Sequence, residues 1–161
     1  MIKRIDQNNF LEYKKIRLEA LINSPDSFLS NFQLEQNFST QDWIEKLNHN
    51  YIFGYFIDNQ IVACVGLNLE TNPKTKHTAT LFGMYILPNN RGKNIANELL
   101  NHVKKIAKDH GVSQLYLGCN AENIIAVKFY KKSGFKIYGT KPNFVKINDK
   151  FYDDLLMMVE L

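Results

Sequence analysis

Apolar positions recur along the chain with two periods, and the points where one gives way to the other divide it into elements. Ile2 to Ile5 reads as a short strand. From Phe10 to Ile22, the residues Phe10, Tyr13, Ile16, Ala20 and Leu21 recur at helical spacing, with Arg17 beside Ile16 on that face. Ser24-Pro25-Asp26 breaks this helix, proline suiting a first helical turn rather than an interior. Residues 26–38 mix phenylalanines with polar groups and fit either a helix or a loop. Ser39 or Thr40 then caps a helix through Trp43, Ile44 and Leu47.

Two β-rich runs follow, Tyr51–Ile57 and Gln60–Leu69, joined by Asp58-Asn59. Both linking residues tolerate a positive φ, which predicts a two-residue hairpin. Thr78–Leu87 is apolar on both faces, as in a central strand covered on two sides, and Gly83 within it predicts a bulge or a close backbone approach. The clearest helix is predicted from Gly92 to His110, with Ile95, Leu99, Val103, Ile106 and Ala107 on one face and Gly111 ending it. Val112–Cys119 is a further strand, Asn123 caps a helix that runs to Ser133 and stops at Gly134, and Phe135–Tyr138 and Phe151–Val159 are the last strands. A strand, a crossover helix and another strand normally pair the strands in parallel, so the pattern predicts a mixed α/β sheet.

Length and composition narrow the class. The 161 residues suit one domain, and 45% hydrophobic with 22% charged residues describes an ordinary globular chain. No apolar run approaches the roughly 20 residues that span a bilayer, and Met1 to Asp6 has no apolar stretch behind its basic residues. The expectation is a cytoplasmic protein without a membrane partner. Cys64 and Cys119 lie in apolar runs, too few and too far apart for a disulfide framework or a zinc site, and read as small buried hydrophobes. No metal is expected.

Charge is uneven. Residues 1–60 hold eight acidic and six basic side chains, whereas residues 61–161 hold fourteen basic and eight acidic. A basic half fits a polyanionic partner or a solvated surface.

One segment carries anion chemistry. Leu87-Pro88-Asn89-Asn90-Arg91-Gly92-Lys93-Asn94-Ile95-Ala96 links a strand to the long helix. Backbone N–H groups at a helix start lack partners, the dipole favours negative charge there, and glycine lets a phosphate approach. Arg91 and Lys93 add positive charge. There is neither a Gly-Lys-Ser/Thr nor a G-x-G-x-x-G, so a P-loop and a dinucleotide fingerprint are both excluded.

This strand-loop-helix resembles motif A of the GNAT acetyltransferases, Q/R-x-x-G-x-G/A, which wraps the pyrophosphate of coenzyme A. The pattern falls on Asn89 to Asn94, with Gly92 at the first glycine; Asn89 and Asn94 depart from the family's choices. Asparagine tolerates left-handed geometry better than other side chains, so the loop can still form. A second segment, Asn123-Ile124-Ile125-Ala126-Val127-Lys128-Phe129-Tyr130-Lys131-Lys132-Ser133-Gly134-Phe135, is similar to the family's motif B, N-x-x-A-x-x-F-Y-x-x-x-G-F. The opening Arg17-Leu18-Glu19-Ala20-Leu21…Ser24-Pro25-Asp26-Ser27-Phe28 also looks like that of a bacterial GNAT subgroup.

The resemblance implies a GNAT fold: a mixed, mostly antiparallel sheet whose central parallel strand pair splays at the acetyl-CoA site, flanked by helices. It implies acetyl-CoA as cosubstrate and a small-molecule or peptide amine as acceptor, acetylated by direct transfer in a monomer or homodimer. Cofactor contacts are then expected from Met84, Tyr85 and Ile86 through main chain and from Arg91, Gly92, Lys93, Asn94, Ile95 and Ala96 around the pyrophosphate. Asn123 is either a cofactor contact or a helix cap. Tyr130 matches the tyrosine that donates a proton to the departing thiolate, although Ala126, Phe129 and Tyr130 at i, i+3, i+4 also fit a core face. Many relatives carry a glutamate on the central strand, yet residues 78–87 contain no Asp or Glu. Tyr85, His77, Glu35 or a water relay remain as candidates for the base. The alternative is a non-catalytic module binding coenzyme A or nucleic acid; against nucleic acid, no basic run is interleaved with aromatics.

Overall fold

The computed structural model describes residues 1–161. Its N-terminal third is a short strand β1 (Ile2–Arg4) followed by three helices, α1 (Phe10–Asn23), α2 (Phe32–Glu35) and α3 (Thr40–His49). Between α1 and α2 the ambiguous stretch resolves into a 3-10 turn at Pro25–Ser27, a link that bends at Leu29 and Ser30, and the single turn of α2. Ser39, not Thr40, caps α3: its side chain accepts from the Asp42 amide while Asp42 accepts from the Ser39 amide, a reciprocal capping box.

Strands β2 (Tyr51–Ile57) and β3 (Gln60–Leu69) form the expected hairpin, with Asp58 and Asn59 at φ 47° and 62°. Then come β4 (Thr78–Ile86), α4 (Ile95–Asp109), β5 (Gln114–Asn120), α5 (Ile124–Lys132), β6 (Lys136–Ile147) and β7 (Lys150–Glu160). All seven strands belong to one sheet in the order β1-β2-β3-β4-β5-β7-β6, antiparallel except for β4 against β5. The α/β expectation with a central parallel pair holds.

Two boundaries differ from the sequence reading by three residues or more. Helix α4 starts at Ile95 rather than Gly92, because Gly92 (φ 75°) and Asn94 (φ 64°) both adopt left-handed backbone, which no helical turn accommodates. Strand β6 runs on to Ile147 rather than ending at Tyr138. It is an edge strand with irregular register after Ile137 and after Lys141, and Asn143 at φ 52° interrupts its alternation. Pro142 needs no ladder donor at such an edge. These bulges erase the two-residue period by which a strand is recognised.

Two cores cover the sheet. On one face α4 and α5 bury Leu99, Leu100, Val103 and Val127 against Leu81, Leu115 and Leu117. On the other, α1 and α3 bury Ile16, Ala20, Trp43 and Leu47 against Ile52, Cys64 and Tyr85. Both cysteines are free and buried, as expected; burial first of all pushes Cys64 up to about 12 and Cys119 up to about 11. Neither is a thiolate near neutrality. No helix is long and apolar enough to cross a membrane.

Candidate active site

The parallel pair is hydrogen-bonded only over Thr78–Thr80 against Gln114–Tyr116. Beyond that, β4 and β5 diverge. Within the diverging part β4 carries a bulge: Cys64 faces Tyr85 and Gly66 faces Phe82, so Val65 of β3 is set against both Gly83 and Met84. Gly83 takes up the distortion at φ 63°, a backbone conformation that L side chains rarely adopt. The bulge turns Met84 towards the α5 face and Tyr85 towards the α1 face.

A narrow cavity of about 70 Å3 sits in the cleft, lined by Leu81, Gly83, Met84, Leu117, Cys119 and Tyr130 among others. Gly83, Gly118 and Asn120 also line a groove of about 570 Å3 on the α1 face, so cavity and groove adjoin and mark a passage between the two unpaired strand edges.

Tyr130 stands on the α5 side of this passage. It is 8% exposed, packs edge-on between Phe129 and Phe135, and its hydroxyl points at Met84 Sδ at 3.9 Å. Burial, and secondarily Cys119, raises its pKa above the ordinary phenol value, so it is protonated near neutrality. Asn123 caps α5, its Oδ1 accepting from the Ala126 amide at 3.1 Å, while its Nδ2 donates to Ser27 Oγ at 3.2 Å. Asn120 Nδ2 donates to the Asp26 carbonyl at 2.9 Å, so two asparagines fasten the Pro25–Ser27 turn beside the passage.

Around Gly92 the anion cradle takes shape. From Gly92 to Asn97 no backbone N–H has an acceptor within the protein; the first intrahelical bond runs from Glu98 to the Asn94 carbonyl. Nothing lies within 4 Å of where a Cβ on Gly92 would sit, so the loop is open to a ligand. Asn94 is left-handed, as its tolerance for that geometry predicts, and its Oδ1 accepts from Asn97 Nδ2 at 2.7 Å, away from the backbone donors. Lys93 is exposed, Ile95 is buried and Ala96 is half-buried. Arg91 turns back instead: its Nε donates to the Ile86 carbonyl at 3.1 Å and its guanidinium lies over the Tyr85 ring. These features fit a pyrophosphate-bearing cosubstrate.

Two substitutions test the cradle. Gly92→Asp puts a negative charge among the free amides and should weaken coenzyme A binding sharply in a protein that still folds. Unchanged affinity by calorimetric titration, in a folded variant, would remove the loop from the site. Asn94→Gly keeps the left-handed turn and should hold or modestly improve affinity in the same titration; a large loss would mean that the Asn94 side chain itself grips the ligand.

The base candidates separate. Tyr85 is 5% exposed and its hydroxyl accepts from Asn23 Nδ2 at 3.2 Å. His77 lies just before β4, where its carbonyl accepts from Ser113 and Gln114; seven residues of strand put it roughly 20 Å from Met84. Glu35 does line the groove, but it is 1% exposed and paired with both Arg17 and Lys46, at 2.8 and 2.9 Å. Burial alone would raise its carboxyl; the hydrogen bonds and charges of Arg17 and then Lys46 outweigh that and hold it at about 2. Such a carboxylate is a poor base near neutrality.

Sequence reasoning missed Asp154. It is half-buried on β7, opposite Asn120, and lines the groove with no hydrogen bond or ion pair of its own. Burial raises its pKa and Lys141 only partly offsets this. The available signal was the Asp153-Asp154 pair inside an otherwise apolar run, since aspartate is depleted in strands.

Residues 18–135 match the Acetyltransferase (GNAT) family. The chain belongs to that family. Among GNAT relatives, it is 36% identical over 78 residues to an uncharacterized N-acetyltransferase of Mycobacterium bovis, covering 48% of this chain and 49% of that protein. The chain thus spans about half the length of the curated relatives it matches first. An acetyltransferase of the GNAT family from Streptococcus pneumoniae superposes with a TM-score of 0.87 over 100% of this chain and 99% of that one, at 19% identity. A putative acetyltransferase from Salmonella typhimurium, solved with its cofactor acetyl-CoA, gives a TM-score of 0.85 over 100% and 93%, at 13% identity. At such identities the structures speak for the GNAT fold.

Proposed function

We propose that this GNAT protein transfers the acetyl group of acetyl-CoA directly to a primary amine. The observation that carries the reading is the passage through the sheet, with Tyr130 on one side and an open groove on the other. Free amides from Gly92 to Asn97 receive the pyrophosphate, and the unpaired edge of β4 at Met84, Tyr85 and Ile86 takes the pantetheine arm by main chain. The acceptor enters from the groove. Its neutral amine attacks the thioester carbonyl carbon; the C–N bond forms as the C–S bond breaks. Tyr130 gives its proton to the sulfur; the one proton that the nitrogen loses on becoming an amide leaves to solvent or to a groove carboxylate, and Tyr130 regains a proton from solvent, which restores the balance.

Direct transfer follows from the thiols. Both are buried and raised well above neutrality, so neither offers a thiolate for an acyl-enzyme. Lys128, Lys131 and Lys132 form an exposed, unpaired face of α5 and serve as a solvated surface. The test is thiol release from acetyl-CoA with a panel of amines. Amine-dependent release supports the reading; tight acetyl-CoA binding with no release for any amine would leave a non-catalytic module.

A further inference from the structure

The groove on the α1 face is electrically two-sided. On the β4 side, Arg17 places its Nε and Nη2 on Glu35, at 3.0 and 2.8 Å. Its Nη1 has no partner within the protein and lies 3.9 Å from where a Cβ on Gly83 would be. Lys46 shares the same Glu35 oxygen at 2.9 Å. Two cations thus divide one carboxylate, and this wall keeps a positive charge in excess.

On the β5 side, the Asp154 carboxylate occupies the space that Gly118 leaves open: a Cβ there would lie 2.6 Å from Asp154 Oδ2. Gly83 and Gly118 stand on the two strands that splay, so a free guanidinium nitrogen and a free carboxylate flank the mouth of the passage. They are not ion-paired with each other. Paired strands run about 4.8 Å apart and these have separated further. An amine and a carboxylate on one carbon, each held by a contact of about 2.8 Å, together reach roughly 8–9 Å, more than a paired-strand spacing, and so suit strands that have separated. Phe28, Phe38, Phe82 and Val145 supply apolar surface beside it.

We propose that the acceptor is a free α-amino acid, its carboxylate bound by Arg17 Nη1 and its ammonium by Asp154, the ammonium giving up one proton to Asp154 or to solvent to become the neutral amine that attacks. This rests on the transferase reading above and specifies its acceptor. A diamine would bring its second cation beside Arg17 and Lys46 and leave Nη1 without an anion. A protein lysine or a peptide N-terminus leaves Nη1 without its anion.

The experiment measures thiol release by the full chain with acetyl-CoA, each of the common L-amino acids, their carboxamides, and 1,4-diaminobutane. The best amino acid should exceed its own amide in kcat/KM by at least about 100-fold, since the amide leaves a charged donor unpaired, and the diamine should be poorer still. Amides or the diamine turned over as well as amino acids would overturn the proposal. No release with any amine, in protein that binds acetyl-CoA by calorimetry, would overturn the transferase reading and the acceptor class with it. Arg17→Lys keeps the charge on Glu35 but gives up the second nitrogen, so KM for the amino acid should rise at least about tenfold and the preference over the amide should collapse. A preserved preference would assign Arg17 to structure alone. Should that variant fail to fold, the wild-type comparison of acid with amide decides.

Discussion

Tyr130→Phe is expected to lower kcat by about 10²–10⁴-fold, the usual contribution of a positioned general acid. The substitution removes one hydroxyl from a buried ring whose packing comes from Phe129 and Phe135. That hydroxyl's one hydrogen bond in the protein is a long one, 3.9 Å to Met84 Sδ, so thermal stability should barely change. Affinity for acetyl-CoA should change far less than kcat, because the proton matters as negative charge develops on sulfur. An unchanged kcat would reduce Tyr130 to a core residue or make another step limiting. A collapse in melting temperature would mean that the hydroxyl holds the structure, and the kinetic loss would no longer report on proton transfer. Isothermal titration, thermal melts and steady-state rates on one preparation separate these outcomes.

What could be read in the sequence was mostly local backbone chemistry. Asp58-Asn59 and Asn94 tolerate positive φ by residue type and each adopts it, and Gly83 sits at the bulge that it was expected to mark. The amphipathic face of α4 announces itself through Leu99, Val103 and Ala107, all buried. The start of α4 did not, because a left-handed Asn94 is indistinguishable from a helix former by hydrophobic spacing. Strand β6 was legible only up to its first bulge. The groove was hidden for a different reason: its charges come from α1, α2, α3 and β7, and nothing in one dimension joins Arg17, Glu35, Lys46 and Asp154. The hint was Arg17 on an apolar helical face, which requires a partner but does not say which.

Glu35→Gln should cost about 3–5 kcal/mol, because it removes the one carboxylate that the buried Arg17 and the half-buried Lys46 share while keeping the side chain's shape. For a chain of this length that corresponds to a melting temperature lower by roughly 6–20 °C. The loss should depend on pH in a definite direction. The Glu35 carboxyl is held at about 2, below its ordinary value of 4.5. A depressed carboxyl contributes stability that is fully present above the unfolded value and disappears as pH falls through the folded one. The gap between wild type and variant should therefore be widest near neutrality and close steadily between about pH 4.5 and 2. On the alkaline side it narrows again, since burial and then Arg17 lower the Lys46 pKa, and without Glu35 that amine sheds its proton more readily. Urea unfolding at acidic, neutral and alkaline pH reads both effects. A gap independent of pH would place the cost in packing rather than charge, and an absent gap would mean that water, not Glu35, neutralises the pair. Because Glu35 also fixes the Arg17 fork, the variant should raise KM for the acceptor even at temperatures where it stays folded, and full retention of that KM would separate the triad's structural task from acceptor binding.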